Sequence, residues 1–342
     1  MKNIITKDTA YKNLISKIGK TYTQHKNLAI SAVNLELLKG YWMIGQYIME
    51  YEQAGQLRAE HGKNLLIELA KDLTEQQGKG FSRTNLYNMR QFYRTYPILQ
   101  TVSGEISWSH YVELLSISDD LERQFYEQQT RIERWSIREL KRQKKTALFQ
   151  RLALSKDKEG ILQLAKEGHQ IKTPDDLTKD PYIFEFLGIP EGSLYTESEL
   201  EERLLDHLQA FLLELGKGFA FIKRQYRITL NNKHYRIDLV FYHYILKCFV
   251  LIDLKSDKLE HYDVGQMNMY INYFKTEVSQ AEDNPPIGII LAADKDDILV
   301  EYATGGITNQ LFVSKYQLYL PDKAALQAQV RAILEGGNKE KD

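Results

Sequence analysis

Apolar residues recur at three-to-four spacing through the first 150 residues, in Leu35, Leu38, Trp42, Ile44 and Ile48 and again in Leu65, Leu66, Leu69 and Leu73. That period places them on one face of a helix, and β-branched alternation is scarce, so this half is predicted to be all α. Ser136-Ile-Arg-Glu139 has the form of a capping box, and Ser82 and Ser107 stand where helix caps are expected. Residues 151–195 read as a helical connector in which Thr173-Pro174 joins a cap to a proline at the first helical position. Beyond it the pattern changes. Thr196-Glu-Ser-Glu199 opens a long helix that Gly216 is placed to end. Strands follow at 219–230, 233–242 and 247–255, with Asn231-Asn232 as the hairpin turn between the first two. A helix at 263–276, a strand at 286–292, a helix near 295–303, a strand at 311–320 and a helix at 323–335 complete the order. That order predicts a mixed sheet with helices packed against it. The expected organisation is an all-α domain over 1–150, a connector over 151–195, an α/β domain over 196–335 and a disordered tail over 336–342.

Composition narrows the class only a little. A chain of 342 residues is long enough for two domains, and 43% hydrophobic with 27% charged residues is ordinary for a globular protein. No apolar run approaches the ~18 residues that span a bilayer, and the start MKNIITKDTA lacks the form of a signal peptide, so no membrane and a cytoplasmic address are expected. Cys248 is the only cysteine, which excludes an intramolecular disulfide framework and a cysteine-based zinc site; within its apolar run it reads as core filling. Charge changes the picture more. Residues 1–150 carry 22 Lys+Arg against 16 Asp+Glu, and the remainder carries 23 against 30, so a net charge of -1 divides into +6 and −7. A basic module joined to an acidic one hints at nucleic-acid contact in the first half.

The candidate chemistry lies on two of the predicted strands. Asp238 interrupts RIDLVFY and Asp253 interrupts KCFVLIDLK, both within apolar runs where an unpaired charge is costly. Asp253 and Lys255 are two apart and share one face of a strand. A short connection after Tyr242 makes the two strands antiparallel neighbours and brings Asp238 close to Asp253. Two close carboxylates call for a cation, and metal-assisted phosphodiester hydrolysis needs such carboxylates beside a group that orients water. The alternative is a structural ion pair. None of the eight histidines shows metal-ligand spacing, and His234, His243 and His261 read as rim or surface residues.

Acid, short gap, acid-x-Lys on the next strand resembles the PD-(D/E)xK nuclease superfamily. Longer stretches carry a closer resemblance, to the bacterial YhcG-type family: LEERLLDHLQAFLLELGKGFAFIKRQYRI, RIDLVFYHYILKCFVLIDLK and GQMNMYINYF, with VNLELLKGYWMIGQYI, GKGFSRTNLYNMRQFY, ISWSHYVELL and WSIREL in the first half. The resemblance implies a helical N-terminal domain followed by a restriction-endonuclease-like PD-(D/E)xK domain, linked to defence or mobile-DNA loci. It implies an endodeoxyribonuclease that uses Mg²⁺, with Mn²⁺ as substitute. Asp238 and Asp253 would ligate the metal, Lys255 would orient the water, and Gln266 matches an auxiliary polar position. Asp253 stands where family members commonly carry Glu, which implies a small change in metal geometry. On a helical wheel Glu201 falls with Leu205, Leu208 and Leu212, so it is expected on the packed face as a further metal or water contact, or else as a buried acid paired with Lys or Arg. The rival to an enzyme is a non-cleaving nucleic-acid-binding or assembly protein on a nuclease fold.

DNA contacts are expected in the helical half. Arg83, Tyr87, Arg90 and Arg94 fall within about 60° on one helix face, after a helix and a glycine-containing turn, in the manner of helix-turn-helix. A second basic helix beginning at Ser136 carries Arg138, Arg142 and Lys145 on one face. One nuclease centre cuts one strand, so double-strand cleavage predicts a homodimer, held through residues 1–150, where Tyr41, Trp42, Tyr47, Phe92, Tyr93, Trp108 and Tyr111 exceed what a small DNA reader needs; most are expected in the domain's own core and some at the interface.

Overall fold

The computed structural model describes residues 9–54, 64–190, 192–295, 300 and 310–336; most of the helix expected near 295–303 and the tail from 337 lie outside them. The chain forms two compact units, Met1–Arg123 with Thr130–Leu140 and Gln124–Gln129 with Lys141–Asp342.

The first unit is helical, as its periodicity predicts. Helix α1 (Thr9–Ala54) is followed by α2 (Leu65–Gln77), α3 (Arg83–Thr95) and α4 (Trp108–Leu114). Gly78 ends α2 with φ +85, and the Ser82 hydroxyl accepts from the Asn85 N–H to start α3. Ser107 and His110 cap α4 reciprocally. The aromatic residues are largely core. Phe92 is fully buried with its ring 5.0 Å from Tyr111 and 5.3 Å from Trp108, and the Trp42 indole donates to Tyr96 O at 2.7 Å. Gly45 lets α1 approach α3, since a Cβ there would stand 2.1 Å from Met89 O. Tyr47 alone of the seven aromatic residues is more than half exposed, at 56%.

Helices α5 (Asp120–Glu133) and α6 (Ile137–Lys145) have residues in both units. The second unit continues with α7 (Leu148–Ala153), α8 (Lys158–Glu167), β1 (Tyr182–Ile183), α9 (Glu197–Asp206) and α10 (Leu208–Leu215). Then come β2 (Phe219–Leu230), β3 (Lys233–His243), β4 (Cys248–Lys258), α11 (His261–Tyr273), β5 (Ile287–Asp294), β6 (Leu311–Gln317) and α12 (Lys323–Gly336). The sheet order is β1-β6-β5-β4-β3-β2, with β1, β6, β5 and β4 parallel and β3 and β2 antiparallel additions. Asn231 and Asn232 both have positive φ (46° and 62°), as the tight β2–β3 hairpin requires.

Alternation along β4 sends Val250, Ile252 and Leu254 to a core with Leu200, Leu204 and Phe211, and Leu251 to the opposite core with Val264, Met267 and Ile271 of α11. Both sheet faces are thus covered. The long helix expected from Thr196 to Gly216 is two helices. At His207 the backbone leaves helical geometry (φ −110, ψ 30), and both its N–H and its ring Nδ1 reach Arg203 O. The buried stripe lies beside the expected one and runs across the break: Leu200, Leu204, Phe211 and Leu215, within about 60° on the wheel, are buried, whereas Leu205, Leu208 and Leu212 are only partly so. His243, expected at the rim, is fully buried, with its ring between Lys217 O (2.9 Å) and the Leu246 N–H (3.1 Å). Cys248 is core, and burial pushes its thiol up to about 12.

Arg151, wholly buried, pairs with Glu214 at 2.7 Å, and Glu214 also holds Arg142 at 3.0 Å and accepts from the Ile183 N–H at 3.0 Å. Burial pushes the Glu214 carboxyl up, but Arg151, Lys179 and Arg142 outweigh it and hold it at about 2. Removing one partner of such a network leaves buried charge uncompensated. Glu214→Ala is expected to cost about 3–5 kcal/mol in urea denaturation; a loss under about 1 kcal/mol would mean the cluster is dispensable.

Candidate active site

The β3–β4 ladder ends at Leu239 and Ile252, and the next residue on each strand is an acid, Asp238 and Asp253. Asp238 still ties the strands, since its Oδ2 accepts from the Leu254 N–H at 2.8 Å. Asp253 is 3% exposed. Burial, then the charge of Asp238, push its carboxyl up to about 7, against the pull of Lys255. Lys255 Nζ lies 3.2 Å from Asp253, 3.6 Å from Asp263 at the start of α11 and 3.7 Å from Glu197 at the start of α9. Burial disfavours its charge, but Asp253, Glu197 and Asp263 outweigh that and raise the ammonium above the ordinary lysine range. Lys255 is therefore held in its charged form.

Glu201, expected on the packed face of its helix, is 4% exposed. Its Oε2 accepts from Gln225 Nε2 at 2.6 Å, and the same nitrogen donates to Asp238 Oδ1 at 3.0 Å. The flanking register sets Gln225 opposite Asp238, and its backbone there is left-handed, with φ +46 at a non-glycine residue. Glu201 Oε1 is buried without a hydrogen bond, 3.3 Å from Arg224 Nε, which places the expected arginine partner beside it too. Burial and then Asp238 raise the Glu201 carboxyl against the pull of the Gln225 hydrogen bond. Gln266 donates to Tyr270 OH, which donates to Arg236 O at 2.9 Å. Burial, then Asp253, push the Tyr270 phenol up to about 12.

Sequence reasoning missed Glu197, Gln225, Asp263 and Tyr270. Glu197 and Glu201 are one helical turn apart, a legible signal; Gln225 carries none, because its position depends on the irregularity in β2. Among the described residues no three His, Cys, Asp or Glu side chains already converge on one point. An amide N–H₂ instead stands between Glu201 and Asp238, and an ammonium beside Asp253. Crowded oxygen donors with a buried unbonded Glu201 oxygen and a raised Asp253 fit a hard divalent cation such as Mg²⁺ or Mn²⁺.

The predicted DNA-contact residues divide. On α3, Arg83 and Arg94 are exposed and Tyr87 is 44% exposed, with Arg90 5.2 Å from the Tyr87 ring, but Arg90 is also bound to Glu52 at 2.6 Å. Arg138 and Lys145 are exposed. Arg142 departs from the expected basic face: it is held by half-buried Glu185 (3.2 Å) and buried Glu214 inside the second unit, and the buried carboxylate needs a cation there.

Residues 175–331 match the YhcG PDDEXK nuclease domain, and residues 17–151 match the DUF1016 N-terminal domain. A protein of Escherichia coli (strain K12) named "Putative nuclease YhcG" is 37% identical over 343 residues, 90% of this chain and 91% of that protein. The chain belongs to the YhcG family. Nucleases with a PDDEXK domain generally use divalent metal ions. Among solved structures, a repair endonuclease from Pyrococcus abyssi matches 39% of this chain and 50% of its own at 19% identity and TM-score 0.26. A complex of EndoMS with dsDNA matches over the same shares at 17% identity and TM-score 0.26. No described helix of this YhcG-family chain is long and apolar enough to cross a membrane.

The Asp253 shift has a stability consequence. Its folded value of about 7 stands above the ~3.9 of an unfolded aspartate. Its stabilising contribution is therefore full below about pH 4 and lost as pH rises through about 7. Asp253→Asn is expected to raise the melting temperature at pH 8 in EDTA, with the gain shrinking toward pH 5. A pH-independent difference would show that Asp253 is not strained by its surroundings.

Proposed function

We propose that this YhcG-family protein is a Mg²⁺-dependent endodeoxyribonuclease. The observation that carries the reading is the placing of half-buried Asp238 beside buried Asp253 at the end of the β3–β4 ladder, with Lys255 against the second acid. Asp238, Asp253 and Glu201 would hold the metal ion, which supplies Lewis-acid stabilisation and an acidified water when bound. The ammonium of Lys255, kept charged by three carboxylates, orients the attacking water and stabilises charge developing on the phosphoryl oxygens. Tyr270 fixes Gln266 at the rim, where its amide can position the water or a phosphate. Defence or mobile-DNA processing is the cellular setting we favour.

The first unit, in this reading, recruits DNA and pairs two copies. Arg83, Arg94 and Tyr87 on α3, the second helix of the α2–α3 pair, meet phosphates and sugars, with Arg90 joining if it exchanges Glu52 for DNA; Arg138 and Lys145 add exposed charge. Pairing is supported by α1. Ile15, Ile18, Tyr22, Val33, Leu37 and Tyr47 are each at least half exposed and fall within about 100° on its wheel. Such a stripe, running most of the length of a 46-residue helix, suits a second copy of itself. Two centres then cut both strands.

Incubation with plasmid DNA tests the chemistry. Cleavage is expected with Mg²⁺ or Mn²⁺ and not with EDTA, with Asp253→Asn inactive and Lys255→Ala reduced by roughly a hundredfold or more. Wild-type rates from Asp253→Asn would remove the metal assignment, and binding without cutting under every condition would favour the non-cleaving alternative. Light scattering tests the pairing: the full chain is expected to be a dimer, and Val33→Glu with Leu37→Glu a monomer that only nicks. A monomeric wild type at micromolar concentration would sink the dimer.

A further inference from the structure

The β2–β3 hairpin outruns the rest of the sheet. Its ladder continues from Leu239 to the turn, through Tyr226↔Ile237, Arg227↔Arg236, Ile228↔Tyr235 and Thr229↔His234, whereas β4 pairs with β3 only as far as Leu239. The outer ribbon is therefore two-stranded among the described residues, and its two faces differ. Ile228 and Ile237 are buried against α11, with the Tyr226 ring 5.0 Å from Phe274. The other face presents Arg227, Thr229, His234 and Arg236, all exposed.

Arg227 and Arg236 are direct cross-strand partners. Like charges in that arrangement repel and weaken a ladder. Among the described residues no carboxylate relieves them: the only side chain bonded to Arg227 is the His234 ring, which also shares a hydrogen bond with the Thr229 hydroxyl, and Arg236 has no side-chain partner. This differs from Arg142, Arg151 and Arg224, each paired with a glutamate. By the period of two, His234, Arg236 and Asp238 share a face of β3, and Gln225, opposite Asp238, bonds it from β2. The unrelieved arginine pair thus lies on the face that runs into the acid cluster, two residues or about 7 Å from Asp238.

We propose that this face is a phosphate track that grips the DNA backbone beside the scissile bond, with Arg227 and Arg236 clamping a phosphate displaced from the one at the acid cluster. The proposal rests on the nuclease reading. A backbone anion removes the repulsion between the arginines, and their planar guanidiniums bind phosphate oxygens in pairs. The acid cluster repels the same backbone, so an adjoining cationic track is what lets a polyanion approach it. The contact reads phosphate, not base, and is independent of sequence.

The test is duplex DNA binding by the full chain in EDTA, followed by fluorescence anisotropy across salt concentrations, for the wild type, Arg227→Ala with Arg236→Ala, and the charge-keeping pair Arg227→Lys with Arg236→Lys. The alanine pair is expected to bind roughly tenfold more weakly at about 0.1 M salt, with the log–log salt slope reduced by about 2, and the lysine pair to recover most of the affinity. Its melting temperature should not fall, since two facing like charges are removed. Unchanged affinity and slope, a wild type without duplex affinity at low salt, or a destabilised alanine pair would each overturn the track. If the alanine pair loses affinity yet the wild type cuts no DNA with either Mg²⁺ or Mn²⁺, the nuclease reading fails and the phosphate contact stands. Metal-dependent cutting with binding indifferent to the arginines gives the reverse.

Discussion

Two carboxylates on neighbouring strands meet where the β3–β4 ladder stops, and the second unit is arranged around that electrostatic cost. Asp238 and Asp253 cannot both be charged cheaply in a site where the latter is buried, and the raised Asp253 records it. What offsets the cost is the Lys255 ammonium, supplied by β4 itself, and the Gln225 amide, supplied by β2. Glu197 and Glu201 of α9 on one side of the sheet and Asp263 of α11 on the other add further carboxylates around them, and α11 also brings Gln266 and Tyr270. The parallel pairing of β4 with β5, joined through α11, fixes where the last of these stand.

Much of this was legible in the chain. Acids inside RIDLVFY and KCFVLIDLK stand out because nothing in an apolar strand explains them. Asp253 and Lys255 are read together because strands have a period of two. A wheel on the helix from Thr196 puts Glu201 inside, where it is found, although the buried stripe runs through Leu200, Leu204, Phe211 and Leu215 beside the leucines that the wheel picks out. Gln225 was not legible, since a left-handed glutamine in a strand has no local signature; only the pairing of β2 with β3 puts it between two carboxylates.

Charge counting was the weakest guide. A surplus of +6 in residues 1–150 directed attention to the helical half, and Arg142 was read as a free cation because helix periodicity put it beside Arg138 and Lys145. Two glutamates distant in sequence, half-buried Glu185 and buried Glu214, claim it instead. The acidic half meanwhile carries Arg227 and Arg236 facing each other without a carboxylate among the described residues, a placement visible only once the hairpin register is known. Net charge averages over such pairings; a cation's availability depends on what the fold has placed beside it.

The account's central claim is that the acids at the end of the β3–β4 ladder form a divalent-cation site, and direct ion binding tests it apart from any nucleic acid. Titration of the full chain with Mn²⁺, followed by loss of the free-ion electron paramagnetic resonance signal, is expected to show saturable binding at pH 8. Asp238→Asn with Asp253→Asn should abolish that binding while the protein stays folded. Binding unchanged in the folded double variant, or none in the wild type with or without DNA, would contradict the account.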